Sequence, residues 1–431
     1  MGHAANPRNI PLHLPEVEDI HELPEQEQTC PCCQLPLEEL NSEEISYELS
    51  YEIRYFIIKH RRKKYRKTCK CSHPIVRALA PIKLFKGGLY SIDFWIKILM
   101  DKYAHGIPLT RQIEIMNMEQ FSIAKSSLCN GLWKISEYLE PLYDLMLEKI
   151  AFERLVHADE TRWRNWASCY DVKRLDEKSL NWLWGFFSEL FHVFVIDPSR
   201  SADVVKNIFG QGKAKTVLPI FVTDRYKAYI SACKVLAFCW AHVRRDFLKL
   251  QIKYRHDKEL FNWAQIYMDL ISDLYALNYQ RLNFSEESAQ FQAYQKQIQI
   301  VLDKMNTINA SAYKDSRKQK QVQSMLNHWK GLTLFLEFPE IPLDNNLAER
   351  QLRKPVVGRK NFYGTHSDKS TKATAIFYSI IATCKLHNVN ANKFLKRYLT
   401  FCAHHKKPPP GKQLHSFLPH NYAKTHPEDL L

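Results

Sequence analysis

The spacing of apolar residues changes twice in the first third of the chain. Between Tyr47 and Ile57, tyrosine, leucine and isoleucine alternate with polar residues, and this period of two predicts a β-ribbon. From 91 to 150 the spacing becomes helical, with a short helix predicted over 109–117 and another over about 125–138. The two helices resemble a helix-turn-helix pair, and an ordinary helical hairpin fits the same pattern.

A series of short apolar runs follows, each of a length typical of a buried strand. The order of strand, hairpin, helix, strand and strand predicts an α/β fold with a mixed sheet flanked by helices. The predicted strands are 154–159, 182–188, 191–197, 217–223 and 235–240, with a helix over 201–209.

Helical spacing returns after this sheet. The stretches 258–277 and 287–305 predict a helical insertion, and 373–387 and 391–402 predict a last helical pair. The tail from Lys406 is rich in proline and is predicted as loop.

The composition of the chain is strongly basic. The 431 residues include 61 Lys and Arg against 46 Asp and Glu, which gives a formal net charge of +15 and a pI near 9.2. This charge favours a nucleic acid as partner, and an unspecialised basic protein is the alternative. Because no run approaches the ~20 apolar residues of a membrane helix and no secretory segment is visible, we expect a cytoplasmic protein without membrane contact.

Two cysteine pairs bracket the predicted β-ribbon, spaced C-x-x-C before it and C-x-C after it. Zinc needs four soft ligands in a tetrahedron, which two tight turns can supply, so the pairs predict a structural Zn²⁺ site. Its predicted ligands are Cys30, Cys33, Cys69 and Cys71. Because the second pair is unusually tight, His73 is a substitute for Cys71 and Cys32 a competitor of Cys33. Reduced cysteines without metal are the alternative.

Three acidic residues lie in short motifs far apart in the chain. Asp159 and Asp224 each follow an apolar run that predicts a strand, and Glu349 lies in a stretch with helical spacing. Three carboxylates within about 4 Å would repel by roughly 4 kcal/mol per pair, so they converge only around cations. This arrangement is typical of two-metal phosphoryl transfer with Mg²⁺ or Mn²⁺. Glu160 competes with Asp159, but only one of two adjacent strand residues can face the site.

Basic residues are concentrated beside the predicted ribbon and around Glu349, where they favour phosphate contacts over a merely solvated surface. The stretch after Glu349 is predicted as a basic loop. Cys239 to His242 is interpreted as a packed strand end, with half of a metal site as the alternative. The candidate DNA-binding residues are Arg61, Arg62, Lys63, Lys64, His242, Arg245, Arg350, Arg353, Arg359 and Lys360.

Several phrases of the sequence resemble those of the bacterial insertion sequence 66 family transposases. They are His157-Ala158-Asp159-Glu160-Thr161, Asp197-Pro198-Ser199-Arg200-Ser201, Cys239-Trp240-Ala241-His242-Val243-Arg244-Arg245, Asp344-Asn345-Asn346 with Glu349-Arg350, and Gly358-Arg359-Lys360-Asn361. The resemblance extends from about residue 10 to the C-terminus. Members of that family usually carry a longer helical N-terminal region than the 29 residues before Cys30, so we expect a shortened member.

The resemblance implies a ribonuclease H-like catalytic domain with a DDE triad at Asp159, Asp224 and Glu349, a helical insertion before the glutamate, and cut-and-join chemistry on the element's own DNA ends. It also implies a nucleoid-associated protein that forms a homo-oligomer on DNA, with companion proteins of the element as further partners. The alternatives are a non-enzymatic zinc-dependent DNA-binding protein and a nuclease that cuts without joining. The predicted regions are a leader (1–29), zinc ribbon (30–73), linker (74–90), helical DNA-binding region (91–150), catalytic domain (151–245 and 341–372), insertion (246–340), and C-terminal helical region and tail (373–431).

Overall fold

A computed structural model describes most of the chain. The described residues are 17–22, 24, 28, 32, 34–37, 46, 54–66, 68–71 and 75–166, followed by 180–210 and 219–431. The chain divides into two compact units, Met1–Ala78 and Leu79–Leu431. Within the described ranges, no helix combines the length and apolar character that a membrane crossing requires.

The first unit contains a short antiparallel pair of strands, β1 (Lys64–Tyr65) and β2 (Val76–Arg77). The Arg62 guanidinium closes this pair, because its Nε and Nη2 atoms donate to the Ala78 carbonyl at 2.9 and 2.7 Å. The basic cluster of this unit therefore lies on a paired, solvent-facing segment.

The ribbon predicted over 47–57 is wrong at its C-terminal end. Residues 54–57 are not in a strand, and the Ile57 side chain is 95% exposed, so the alternating pattern there has no face to pack against. The remainder of the prediction, 47–53, lies outside the described residues.

Three helices open the second unit, namely α1 (Ile92–Tyr103), α2 (Leu109–Met118) and α3 (Lys125–Ile150). Helix α1 begins where the Ser91 side chain accepts the Phe94 backbone N–H. Helices α1 and α3 pack closely because Gly131 leaves room for the Trp95 ring. A Cβ atom at position 131 would lie 2.0 Å from that ring.

The helix predicted over 125–138 is longer than expected. Helix α3 continues through Pro141 to Ile150, because buried residues such as Leu142 and Met146 keep the helical spacing and packing outweighs the proline. Most of the predicted linker, 79–90, has neither helix nor strand, yet Leu84 in it is only 2% exposed.

Five strands form one mixed sheet in the order β5-β4-β3-β6-β7. Strands β3, β4 and β5 pair antiparallel, while β6 and β7 run parallel to β3. The elements of this region are β3 (Leu155–Arg164), β4 (Leu180–Phe187), β5 (His192–Asp197), α4 (Ala202–Phe209), β6 (Ile220–Thr223), α5 (Lys227–Ala232) and β7 (Val235–Phe238). The predicted mixed sheet is confirmed, with β3 at its centre.

The next helices share a core with the sheet. They are α6 (Trp240–Lys253), α7 (Lys258–Arg281), α8 (Ala289–Asn309), α9 (Ser316–Leu326) and α10 (Trp329–Leu332), followed by a 3₁₀ turn (Leu334–Leu336). Apolar residues of β6 and β7, such as Val222 and Ala237, pack into the same cluster as Phe247 and Tyr267, whose rings stack at 4.4 Å. The region predicted as an insertion, 246–340, is therefore built onto the sheet's own core.

Five helices end the chain. They are α11 (Asn346–Phe362), α12 (Asp368–Leu386), α13 (Ala391–His405), α14 (Gly411–Ser416) and α15 (Pro419–Thr425), before a 3₁₀ turn (Pro427–Asp429). The basic loop predicted after Glu349 is wrong, because α11 continues to Phe362. Its buried residues Ala348, Leu352 and Pro355 recur every three or four positions and pack it on β3 and β4.

The C-terminal tail was also predicted wrongly as loop. It forms α14 and α15 because its aromatic residues find partners on α13. The rings of Phe417 and Tyr422 lie 6.2 and 5.0 Å from the ring of Phe394. Burial of this aromatic cluster fixes the tail against the helix before it.

Helix α12 covers the edge strand β5 with hydroxyl side chains. Ser379 Oγ accepts the Phe194 N–H at 2.9 Å, and Thr383 Oγ1 accepts the His192 N–H at 3.1 Å and donates to the His192 carbonyl at 3.0 Å. These bonds satisfy backbone groups that an edge strand otherwise leaves unpaired.

Candidate active site

The two faces of β3 have different neighbours, and Asp159 and Glu160 lie on opposite faces. On the odd-numbered face, His157 contacts Asn345, and Thr161 accepts from Arg359 of α11 at 3.3 Å. On the other face, Glu160 Oε2 accepts the Tyr229 hydroxyl of α5 at 2.6 Å. Asp159 therefore belongs to the α11 side, and Glu160 points away from it.

Asp224 follows the strand next to β3. The parallel register pairs Leu155 with Ile220 and His157 with Val222, so two further positions along both chains bring Asp159 level with Asp224. Asp224 Oδ1 accepts the Tyr226 N–H at 3.0 Å, which holds the carboxylate at the turn after β6. The register thus places the two aspartates level with each other on the central strand and its neighbour, where β6 ends.

Asn345 fixes the start of α11 on β3. Its Nδ2 donates to the Ala158 carbonyl at 2.8 Å, its Oδ1 lies 2.9 Å from His157 Nδ1, and its backbone N–H donates to Cys239 Sγ at 3.3 Å. Since the amide nitrogen must donate to Ala158, Oδ1 is the acceptor, and His157 Nδ1 carries a proton. The Asp344-Asn345-Asn346 motif thereby places the first turn of α11 over the strand that carries Asp159.

Glu349 lies in that first turn. Its Oε1 is 3.4 Å from Arg245 Nη2 and 3.9 Å from His242 Nε2, and both partners lie on α6. The interpretation of Cys239 to His242 as a strand end is wrong, because Trp240 begins α6, where its N–H donates to the Leu343 carbonyl at 2.8 Å. The N-terminal part of α6 therefore faces the glutamate.

The acidic residues influence one another electrostatically. Burial, followed by the neighbouring carboxylates of Glu160, Asp224 and Glu349, raises the pKa of Asp159 to about 7. Burial and the Arg245 charge lower the pKa of His242, although Asp224 and Glu349 act in the opposite direction. A cation bound beside Asp159 would favour the charged form of this carboxyl group against both causes.

The donor set of the three residues suits a divalent metal, because all three offer carboxylate oxygens, the ligands that Mg²⁺ prefers. Asp159 and Asp224 each have one oxygen accepting a backbone N–H, from Glu160 and Tyr226. Among the described residues, no group of three or more His, Cys, Asp or Glu side chains forms a ready-made metal site. The chemistry of the donors fits a metal, while Glu349 is engaged by Arg245 in this structure.

The candidate DNA-binding residues divide into three groups. Arg61 to Lys64 are exposed in the first unit, and Arg350, Arg353 and Lys360 are exposed on α11. Arg359 instead points inward, because its guanidinium donates to Thr161 Oγ1 and to the Arg162 carbonyl. It is therefore a strand contact in this structure, as His242 and Arg245 are contacts of Glu349.

The predicted zinc ligands are only partly described. Cys30 and Cys33, like the alternative ligand His73, lie outside the described residues, and Cys69 and Cys71 are exposed. Hydrogen bonds from the Cys71 backbone and side chain lower the pKa of the Cys69 thiol. The two cysteines of the second pair are therefore adjacent in space, as a shared ligand role requires.

Two residues of the site were missed in the sequence. Asn345 holds α11, and Arg200 forms an ion pair with Glu160. The sequence does point to both residues, because each belongs to a motif that carries the family resemblance. Spacing alone gave neither residue a role, since their partners lie 187 and 40 positions away.

The chain matches a known protein family and is similar to several known proteins. Residues 87–373 match the family described as Transposase IS66 family. The chain is also similar to three uncharacterised proteins of Sinorhizobium fredii (strain NBRC 101917 / NGR234). These are y4hP, 23% identical over 97% of this chain and 78% of that protein; y4jD, 26% identical over 91% and 78%; and y4qI, 25% identical over 94% and 76%.

Proposed function

The chain belongs to the IS66 family of transposases, and from that premise we propose that it cleaves the ends of an insertion sequence and joins the freed 3′-hydroxyl to target DNA. The proposed catalytic residues are Asp159, Asp224 and Glu349. The observation that carries this assignment is the register of β3 and β6, which brings Asp159 level with Asp224 beneath the helix that holds Glu349.

The three carboxylates would hold Mg²⁺ or Mn²⁺. Bound there, two such ions supply activation of the attacking oxygen and stabilisation of the leaving oxygen of a phosphodiester. The protein's part is positioning: Asn345 sets α11 on β3, and the Tyr226 N–H orients Asp224. Arg245 forms an ion pair with Glu349 in this structure and would be free to contact a DNA phosphate if a cation replaced it beside Glu349.

The finer structural assignments belong to the same proposal. The mixed sheet, with three antiparallel strands continued by two parallel ones, supports a ribonuclease H-like catalytic domain interrupted by the helices of 246–340. Cys30, Cys33, Cys69 and Cys71 are proposed to hold Zn²⁺ in the first unit. The exposed basic residues of that unit and of α11 are proposed to contact DNA phosphates, as a formal net charge of +15 favours.

The proposal is tested by strand cleavage and strand transfer on element-end DNA with Mg²⁺. Asp159→Asn, Asp224→Asn and Glu349→Gln each remove one anionic ligand, so each is expected to lower the cleavage rate by about 10³-fold or more. Asp303→Asn is the matched control, because this exposed carboxylate lies on α8 and bonds only to Gln299 among the described residues.

The outcomes separate the possible functions. If any one of the three variants cleaves DNA at the wild-type rate, the residue substituted in it does not belong to the site. Metal-independent DNA binding without cleavage by the wild-type chain indicates a DNA-binding protein instead. Cleavage without joining of precut ends indicates a nuclease.

A further inference from the structure

Arg200 lies in the turn between β5 and α4, within the Asp197-Pro198-Ser199-Arg200-Ser201 motif. Its Nε and Nη2 atoms donate to Glu160 Oε1 at 2.9 and 2.5 Å. The Glu160 side chain is only 1% exposed and follows Asp159 directly on β3. These two hydrogen bonds to one carboxylate oxygen therefore fix the Arg200 side chain to β3, the strand that carries Asp159.

The same guanidinium contacts two aromatic rings. Its central carbon lies 4.3 Å from the centre of the Trp182 ring on β4 and 3.8 Å from the Tyr226 ring. The Tyr226 hydroxyl donates to the Arg200 carbonyl at 2.9 Å. Arg200 thus contacts Tyr226 through both its side chain and its backbone.

Tyr226 in turn orients the Asp224 carboxylate. Its backbone N–H donates to Asp224 Oδ1 at 3.0 Å, so the position of Tyr226 sets the direction of that carboxylate. The contacts form one continuous path from Glu160 through Arg200 and Tyr226 to Asp224. This path joins the strand of one candidate ligand to the turn that carries the other.

We propose that Arg200 is a positioning residue that fixes the turn bearing Asp224 against the strand bearing Asp159, and so sets the separation of the two carboxylates. The inference rests on the proposed function, since it concerns the same metal ligands. A planar guanidinium is required for this role, because it bonds to Glu160 through two nitrogens in its plane and can also stack on the aromatic rings. A lysine at position 200 would keep the positive charge but lose the paired hydrogen bonds to Glu160 and the stacking on the rings.

The chain offers a closely matched control for an arginine-to-lysine change. Arg317 donates to Asp315 and Asp257, and its guanidinium lies 4.8 Å from the centre of the Tyr254 ring. Arg317 lies on α9 and, like Arg200, combines an ion pair with a contact to an aromatic ring. Among the described residues, it does not contact the candidate metal ligands. Comparison of Arg200→Lys with Arg317→Lys separates positioning of the ligands from general stabilisation.

The experiment measures Mn²⁺ binding to the full-length protein by electron paramagnetic resonance and the Mg²⁺ concentration at half-maximal cleavage. Arg200→Lys is expected to weaken Mn²⁺ binding and to raise the Mg²⁺ midpoint by about tenfold, as outer-shell changes commonly do, with the rate at saturating Mg²⁺ changed far less. Arg317→Lys is expected to leave both quantities at the wild-type value. Asp159→Asn identifies the Mn²⁺ signal as that of this site.

Equal Mn²⁺ affinities and Mg²⁺ midpoints in the two lysine variants overturn the inference, as does an Mn²⁺ signal that Asp159→Asn leaves unchanged. If Arg200→Lys fails to fold, Tyr226→Phe tests the same path, because it removes only the hydroxyl bond to the Arg200 carbonyl. It is expected to weaken Mn²⁺ binding by about threefold, and an unchanged affinity counts against the inference. Absence of wild-type cleavage overturns the proposed function alone, since the Mn²⁺ comparison still stands.

Discussion

At the scale of single residues, strand alternation predicts that Asp159 and Glu160 face opposite ways but not which one enters the site. The structure answers this through partners that are distant in sequence. Glu160 bonds to Arg200 and Tyr229, 40 and 69 positions away. No local pattern reveals such partners, so the choice between the adjacent carboxylates depends on tertiary structure.

His192 shows how one buried residue makes stability depend on pH. It is 3% exposed, and neither ring nitrogen meets a hydrogen-bond partner among the described residues. Burial, with smaller contributions from His387 and His157, lowers its pKa from 6.5 to about 4. Between those values the unfolded chain binds a proton that the folded chain excludes, so stability falls as the pH decreases from about 6.5 to 4.

A His192→Leu variant is expected to lose less stability on acidification than the wild type. The difference between the two proteins should grow to as much as about 3 kcal/mol at pH 4, because leucine has no proton to bind. Urea unfolding followed at pH 7, 6, 5 and 4 measures it. Parallel stability curves for the two proteins would show that His192 is not a source of acid sensitivity.

At the scale of helices and strands, most elements were predictable from periodicity, and two of the errors have a common cause. The basic stretch after Glu349 and the tail beyond Lys406 look like loops because they are rich in charge or proline. They form helices because a few buried residues contact other elements, as Leu352 contacts β4 and Tyr422 contacts α13. Burial against a distant element outweighs local propensity, and the sequence alone does not show that element.

The hydroxyl contacts between α12 and β5 give a test at this scale. Thr383→Val keeps the shape of the side chain and removes both bonds to His192, leaving a buried N–H and carbonyl without partners. The free energy of unfolding is expected to fall by about 1–3 kcal/mol. Thr307→Val is the control, because its hydroxyl bonds a helix carbonyl on an exposed face.

Urea unfolding and hydrogen exchange at the His192 amide measure this effect. The exchange rate should rise in Thr383→Val and stay at the wild-type value in Thr307→Val. An equal loss of stability in the two variants would mean that α12 does not stabilise the sheet edge through this threonine.

At the scale of the whole molecule, the α/β class, the mixed sheet and the helices predicted over 258–277 and 287–305 are confirmed. The sequence did not show that these helices share a core with β6 and β7. That packing matters for the site, because α6, which carries Arg245, belongs to the shared core while reaching Glu349. The helices after the sheet therefore support the candidate active site rather than merely interrupting it.

The central claim is that residues from β3, from the turn after β6 and from α11 meet around divalent cations. Anomalous diffraction from crystals grown with Mn²⁺ and element-end DNA tests it most directly. Two Mn²⁺ ions are expected roughly 4 Å apart, with oxygens of Asp159, Asp224 and Glu349 about 2.0–2.6 Å from them. Ions bound elsewhere, with the three carboxyl groups separated by more than about a dozen ångströms, would contradict it.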